Sequence, residues 1–244
     1  MIAGPTLLAL GLAVGGTAIV IATGQATRSA ALVGLGVAVL AVLGLGEGAL
    51  IPLAVFVLLG GALTRFGRGR KEAAGIAEPA GGRRGTLHVV AKLGLPALLG
   101  VVGLLGGFGQ GPSVAYAAAL AGALADTSAT EVGPLAGGSV FGFRGSAFAR
   151  LRHGSPGGMS VAGLAASMAG SAVVAWSALL SGLIDSAATA GIVGAAGFGA
   201  SVLESIVGGL KVGRVLGPFG RNVLVSVVSA SVGFGAGSCG WGAP

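Results

Sequence analysis

Residues 48–71 read GALIPLAVFVLLGGALTRFGRGRK: an uncharged apolar run over 48–64, then Arg65, Arg68, Arg70 and Lys71 directly behind it. A helix that crosses a hydrocarbon core of ~30 Å needs about 20 predominantly apolar residues. The stretch therefore reads as a membrane span ending in a basic loop. Composition carries the same message to the whole chain. Hydrophobic residues make up 54% and charged residues only 9%, where a soluble domain carries about 25% charged residues. So few charges cannot make a water-facing surface.

The same pattern recurs along the chain. Expected spans cover residues 3–23, 30–45, 48–64, 88–107, 113–131, 158–181, 186–207 and 222–238. The fold class is all-α, a polytopic transmembrane helix bundle of about eight spans, built as one integral membrane domain over 1–244. The second and third spans are short and form either a tight hairpin or a re-entrant pair, which would leave six crossings. Residues 2–22 have no basic residue ahead of them, unlike a signal peptide with its positive n-region. The first span is expected to be retained.

The basic residues test this division. If the spans alternate, the loops after the first, third, fifth and seventh share one side. They hold Arg28; Arg65, Arg68, Arg70, Lys71, Arg83 and Arg84; Arg144, Arg150 and Arg152; and Lys211, Arg214 and Arg221. With Lys92, near the start of the fourth span, all 14 Lys and Arg are placed. The opposite loops, 46–47, 108–112 and 182–185, hold none. Positive residues concentrate in cytoplasmic loops, so the loops near 65–87, 132–157 and 208–221 are expected in the cytoplasm. A net charge of +7 is thereby explained by topology and anionic lipid, and no nucleic acid is called for. Three basic loops on one face also suit a polyphosphate.

Glycine is abundant, at 51 residues, without the three-residue period of collagen. Small residues spaced by four, such as Gly11 and Gly15 or Ala166 and Gly170, or set either side of Glu204 as Ala200 and Gly208 are, favour close helix packing. The single cysteine, Cys239, allows no intrachain disulfide and no cysteine metal cluster. His88 and His153 lack metal-ligand spacing and read as solvated or hydrogen-bonded loop residues.

Glu72 and Glu78 fall in a charged loop, Glu47 and Asp185 in outer turns. Asp126, Glu131 and Glu204 lie instead in the inner half or end of apolar helices. A carboxylate at membrane depth is costly and faces a cavity or a partner. Asp126 and Glu131 are five residues apart, a rotation of about 140° on a helix, so one site takes both only at a helix end or break. Gly133-Pro134 offers such an end. Thr127, Ser128 and Thr130 add hydroxyls, and hard oxygen ligands of this kind suit Mg²⁺ with substrate phosphates. Gly157 and Gly158, before the sixth span, are placed to cradle an anion at a helix N-terminus. The arginines of 65–86 match phosphate oxygens, although a topogenic cluster accounts for them equally.

Together these segments resemble a known family, the integral membrane proteins that include plant phytyl-phosphate kinase of vitamin E biosynthesis and animal transmembrane protein 19, catalogued as domain of unknown function 92. The resemblance runs over roughly 60–235. Its blocks are Arg70-Lys71 through Gly75-Ile76-Ala77-Glu78 to Gly82-Arg83-Arg84; Gly122-Ala123-Leu124-Ala125-Asp126-Thr127 to Thr130-Glu131-Val132-Gly133; Pro156-Gly157-Gly158-Met159-Ser160 with Gly163; and, more weakly, 201–209 followed by Arg221-Asn222. Lys92 stands for a usual asparagine, Glu204 for a usual aspartate, and no threonine follows Pro156-Gly157.

The resemblance implies a prenyl-phosphate kinase that transfers a phosphoryl group from a nucleoside triphosphate, CTP first among them, to an isoprenyl monophosphate. It implies Asp126, Glu131 and Glu204 as catalytic residues and Mg²⁺ ligands. Phosphate binding falls to Arg70, Lys71, Glu78, Arg83, Arg84, Thr127, Thr130, Gly157, Gly158, Ser160 and Asn222. The expected partners are the bilayer, the prenyl phosphate and the nucleotide, and assembly into a homo-oligomer stays open. The expected location is a bacterial or archaeal plasma membrane with the active face in the cytoplasm. A membrane transporter and a lipid-phosphate cytidylyltransferase are the alternatives.

Overall fold

The computed structural model describes residues 4–78 and 80–239. Residue 3 of the first expected span and residue 79 of the 65–87 loop lie outside them. Among the described residues the helices are α1 (Gly4–Ala22), α2 (Arg28–Leu45), α3 (Leu50–Arg65), α4 (Arg68–Ala73), α5 (Thr86–Leu105), α6 (Gly111–Ala136), α7 (Val161–Leu180), α8 (Ala187–Gly209) and α9 (Lys211–Ser238). Seven of them, α3 taken with the 3₁₀ turn before it, are long and apolar enough to cross a membrane. This is an all-α polytopic membrane protein. The exception among the long helices is α6. At 26 residues and ~1.5 Å per residue it spans about 39 Å. Its composition is Ala- and Gly-rich rather than Leu-rich, because it faces protein.

α6 packs against α3, α5, α7, α8 and α9. Residues Val114 to Ala121 are all essentially inaccessible. Small residues on the neighbours let backbones meet it. A Cβ on Gly197 of α8 would stand 2.8 Å from Ala121, and one on Gly170 of α7 would stand 2.5 Å from Ser128 Oγ. The expected packing role of Gly170 is thus met, and Gly208 is likewise pressed on Gly157. Gly11 and Gly15 meet nothing within 4 Å, so their spacing does not mark a contact within the chain.

The long helices alternate in direction. At one end, Gly48 lies on Ser181 and Leu183, Gly237 on Gln110, and Thr6 donates to Glu47. At the other, Arg65 donates to the Thr23 carbonyl, Thr27 N–H to the Arg84 carbonyl, and Gly157 packs on Gly209. α2 and α3 both run between these ends, which corrects the re-entrant alternative. The basic loops gather at the second end.

Two loops carry more order than expected. The 132–157 segment begins as helix, because α6 continues through Gly133 and Pro134 to Ala136. Pro134 sits two residues from the end, where its missing N–H and ring disturb only the last turn. There follows an antiparallel hairpin, β1 (Val140–Arg144) with β2 (Ala147–Leu151), closed by Gly145 (φ 67°) and Ser146. Phe148 stacks on Phe141 at 6.3 Å and meets Phe143 edge-on at 5.4 Å. The 208–221 segment is mostly the first part of α9, bent at Gly217 (φ 62°) before Pro218.

Candidate functional site

The Ala-rich turns of α6 are interrupted by Asp126-Thr127 and Glu131, and each carboxylate meets a lysine from another element. Lys92 of α5 donates to Asp126 at 2.7 Å and to Thr127 Oγ1 at 3.0 Å. Lys71 of α4 donates to Glu131 at 2.6 Å and to the Leu63 carbonyl at 2.9 Å. The Lys71–Glu131 pair is sealed, its side chains 2% and 5% exposed; Asp126 keeps 16%. In a third pair, Arg221 Nε of α9 stands 3.3 Å from Glu204 Oε1 of α8. This contact lacks hydrogen-bond geometry, and Nε is buried without a partner.

These groups border a cavity of about 520 Å³ at the basic end. Its wall includes Arg84, His88, Lys92, Asp126, Glu131, Glu204 and Arg221, with Glu78 at the rim. Arg84 is fixed through its backbone, whose N–H donates to the Gln25 carbonyl at 2.9 Å. Its guanidinium donates to Thr64 Oγ1 at 2.9 Å and to His88 Nε2. No carboxylate among the described residues lies within ion-pair reach of it. Burial lowers the Arg84 pKa from its ordinary value, against the opposing pull of Glu78, Glu131 and Asp126.

Of the residues expected in a site, Glu78, Arg84, Asp126, Thr127, Thr130, Glu131, Gly157, Gly158, Ser160, Glu204 and Asn222 all line this cavity. Arg70 and Arg83 are exposed and, with Lys71, lie outside its wall. The ammonium of Lys71 is engaged by Glu131 and helix carbonyls, which takes it out of phosphate binding. No helix break joins Asp126 to Glu131; the cavity is broad enough to take in two faces of α6.

The glycines act differently from a simple phosphate cradle. Gly158 N–H is engaged by the Ser155 carbonyl at 3.0 Å. Gly157 has φ 77°, and a Cβ there would reach Gly209 N at 2.4 Å. It lets the loop lie on the end of α8. Ser160 caps α7, accepting from Gly163 N–H at 3.1 Å, so the N-terminus of α7 faces the cavity.

An Mg²⁺ centre held by three carboxylates does not fit this arrangement. Among the described residues no group of three or more His, Cys, Asp or Glu side chains is gathered as metal ligands. Asp126 and Glu131 are already bound to lysines. Thr127 Oγ1 donates to the Ala123 carbonyl at 2.8 Å and Thr130 Oγ1 to that of Asp126 at 2.9 Å.

Lys92, His88, Arg221, His153 and the serine pair Ser167–Ser201 (3.1 Å) complete the wall. His153 Nε2 donates to the Gly138 carbonyl at 3.0 Å, as a loop histidine should. His88 belongs instead to the first turn of α5. Lys92 had a legible signal: an ammonium inside an apolar run demands a partner. Arg221 follows Gly217-Pro218, a helix bend that turns it inward.

A charged cavity sunk into one end of a bundle of membrane-spanning helices defines an integral membrane protein with a polar site at its basic end. The chain matches the family described as integral membrane protein DUF92 over residues 11–218, and it belongs to that family. It is also 36% identical over 181 residues to an uncharacterized membrane protein of Synechocystis sp., a match covering 71% of this chain and 66% of that protein. The matched region thus spans slightly less than two thirds of that relative's length. No solved structure matches.

Proposed function

We propose that this chain is a membrane phosphotransferase, a prenyl-phosphate kinase that uses a nucleoside triphosphate, CTP by family resemblance. The observation that carries the reading is the cavity at the basic end, where the Arg84 guanidinium lacks a carboxylate partner among the described residues and Arg221 Nε, 3.3 Å from Glu204, is buried without a hydrogen bond. Buried guanidinium N–H groups left without full hydrogen bonding are costly unless a ligand completes them. With Lys92 and the N-terminus of α7 they suit phosphate oxygens.

In the reaction, a non-bridging oxygen of the acceptor phosphate attacks the terminal phosphorus of the nucleotide. The bond from that phosphorus to the bridging oxygen breaks, and the nucleoside diphosphate leaves with the electron pair. The acceptor is a monoester with a second pKa near 6, so it arrives ionised and no general base is required. Catalysis then consists of positioning and charge stabilisation. Arg84 holds the acceptor phosphate, Arg221 and Lys92 the nucleotide phosphates. Asp126 and Glu204 orient Lys92 and Arg221, while Lys71 and Glu131 brace α6. Mg²⁺ would enter on the nucleotide phosphates, needing at most one or two protein carboxylates. By the distribution of positive charge, the cavity opens on the cytoplasmic face of a bacterial or archaeal plasma membrane.

The test is transfer of label from γ-labelled CTP to geranylgeranyl monophosphate by the purified protein in detergent, with labelled diphosphate and CDP as expected products. Pyrophosphate release would assign a cytidylyltransferase instead. Activity untouched by Arg84→Ala and Arg221→Ala would remove the site assignment.

A further inference from the structure

A second cavity, of about 380 Å³, lies between α1, α2, α3 and α5. Its wall is apolar apart from Thr17, whose hydroxyl donates to the Ala13 carbonyl, and one end where Gln25, Arg84, His88 and Lys92 stand. Arg84, His88 and Lys92 also line the charged cavity, so the two spaces share one wall. Along α3 the apolar wall extends from Leu50 to Gly61, roughly 16 Å at ~1.5 Å per residue. Small residues hollow it out: a Cβ on Gly16 or Gly34 would meet nothing within 4 Å. α1 leans on α2 and barely meets α3, so packing between α1 and α3 is sparse along this cavity.

The polar end has two further features. Arg84 lacks a carboxylate partner among the described residues. Gln25, also in the wall, has its side-chain Oε1 buried without a hydrogen bond, at the place where Gly61 leaves room for it.

We infer that this groove holds the tail of a single-chain lipid monophosphate, its phosphate on Arg84 and its hydrocarbon running along α3 towards Leu50, having entered from the bilayer between α1 and α3. This rests on, and deepens, the phosphotransferase reading: the acceptor binds from the lipid side and the nucleotide from the aqueous side, with Arg84 between them. Charge complementarity fixes the class of occupant. A neutral lipid leaves Arg84 uncompensated. A diacyl phospholipid brings a second chain, for which one groove closed at Arg84 has no place.

Photolabelling in nanodiscs, with no nucleotide present, tests the groove apart from the reaction. The probe is geranylgeranyl monophosphate with a diazirine at its far end. Labelling is expected on α1 or α3 near Leu12 and Leu50–Ala54. Unlabelled geranylgeranyl monophosphate should compete with it, and geranylgeraniol or inorganic phosphate should not. Gly34→Leu and Arg84→Ala are each expected to cut it by about tenfold or more, a change of ~1.4 kcal/mol. Gly16→Leu is a second filling variant at a position with free space, and size-exclusion profiles check folding. Label scattered over the outer faces of α7 and α9, or unmoved by both filling variants, overturns the inference.

Turnover separates the two ideas. Groove labelling without phosphoryl transfer to any prenyl phosphate leaves the groove and removes the kinase. Transfer whose chain-length preference is unchanged in Gly34→Leu and Gly16→Leu leaves the kinase and removes the groove.

Discussion

α1 and α6 are both long helices without a charged first or last turn, yet they belong to different solvents. α1 has a mean hydropathy of 2.0 and only 11% of its residues buried. α6 does not qualify as a span on hydropathy, and most of its residues are buried. Hydropathy thus finds the helices that face lipid, while the helix at the centre is marked by alanine, glycine and compensated charge. A lipid-facing helix is specified by transfer free energy, which tolerates many sequences. A central helix is specified by fit and by pairing, which tolerate few.

The largest effect on this contrast is expected from Glu131→Ala. It leaves the Lys71 ammonium, 2% exposed, without its counter-charge, and breaking one side of a buried pair costs about 3–5 kcal/mol. A thermal unfolding scan in detergent should show a large fall in Tm. Replacing both partners, as Lys71→Met with Glu131→Leu, should recover most of it, because the cost lies in the stranded charge. A double variant as unstable as the single would mean that the pair contributes more than neutralisation.

Next in size is Arg221→Ala, which tests the cavity flank of α6 rather than its sealed flank. Removing one preorganised donor from a charged transition state costs about 10²–10³ in rate. The proposed transfer reaction should fall by that order, while Tm falls less than in Glu131→Ala, because the Arg221–Glu204 contact is longer, at 3.3 Å, and less buried than the Lys71–Glu131 pair. A large loss of stability with proportionate loss of activity would make Arg221 a packing residue.

The contrast also explains what the sequence disclosed. Seven of the eight expected spans were legible because a lipid-facing helix writes its solvent into its composition, while the one expected over 113–131 falls on α6, which is a long helix but not apolar enough to count as a span. The basic end was legible because loop charge follows topology, residue by residue, from Arg28 to Arg221. That Asp126, Glu131 and Glu204 border one cavity was foreseeable from the cost of a carboxylate at depth. Their partners were not, because Lys71 and Lys92 each suit either α6 carboxylate, and only the placing of α4 and α5 decides between them. The hairpin is readable in the sequence: Val140-Phe141-Gly142-Phe143 and Ala147-Phe148-Ala149 flank Gly145-Ser146, aromatic runs about a two-residue turn. The glycine content of 136–160 suits an anion loop in sequence alone, whereas Gly157 is needed for contact with Gly209.

Packing on α6 gives a smaller, purely steric expectation. Gly197→Ala sets a methyl 2.8 Å from the Ala121 backbone carbon and Gly122 N, atoms that cannot swing aside. Overpacking of this kind costs about 1–3 kcal/mol. Tm should drop measurably, and Ala121→Gly on α6 should recover only part of it, because it removes the contact with Ala121 Cβ and leaves the two backbone clashes. An unchanged Tm would show that α8 shifts outward freely, and that α6 is less tightly enclosed than its burial implies.

The smallest effect is expected on α1, and it sharpens the comparison most. Gly11 and Gly15 have the spacing of a helix-packing pair, but a side chain at either meets open space within this chain. Gly11→Leu and Gly15→Leu should therefore leave Tm within about 0.5 kcal/mol of equivalent stability, whereas the same substitution on a neighbour of α6 would not be borne. The informative measurement is sedimentation in detergent beside the Tm. If α1 simply faces lipid, neither variant changes the particle mass. If the mass falls while Tm holds, the two glycines pack α1 against a second copy, and the pattern in the sequence marks an interface between chains rather than one within the bundle. Leu12, Ala13 and Gly16, on the groove side of the same helix, would then be left facing the proposed lipid tail, so that α1 would divide its faces between a partner protein and a substrate.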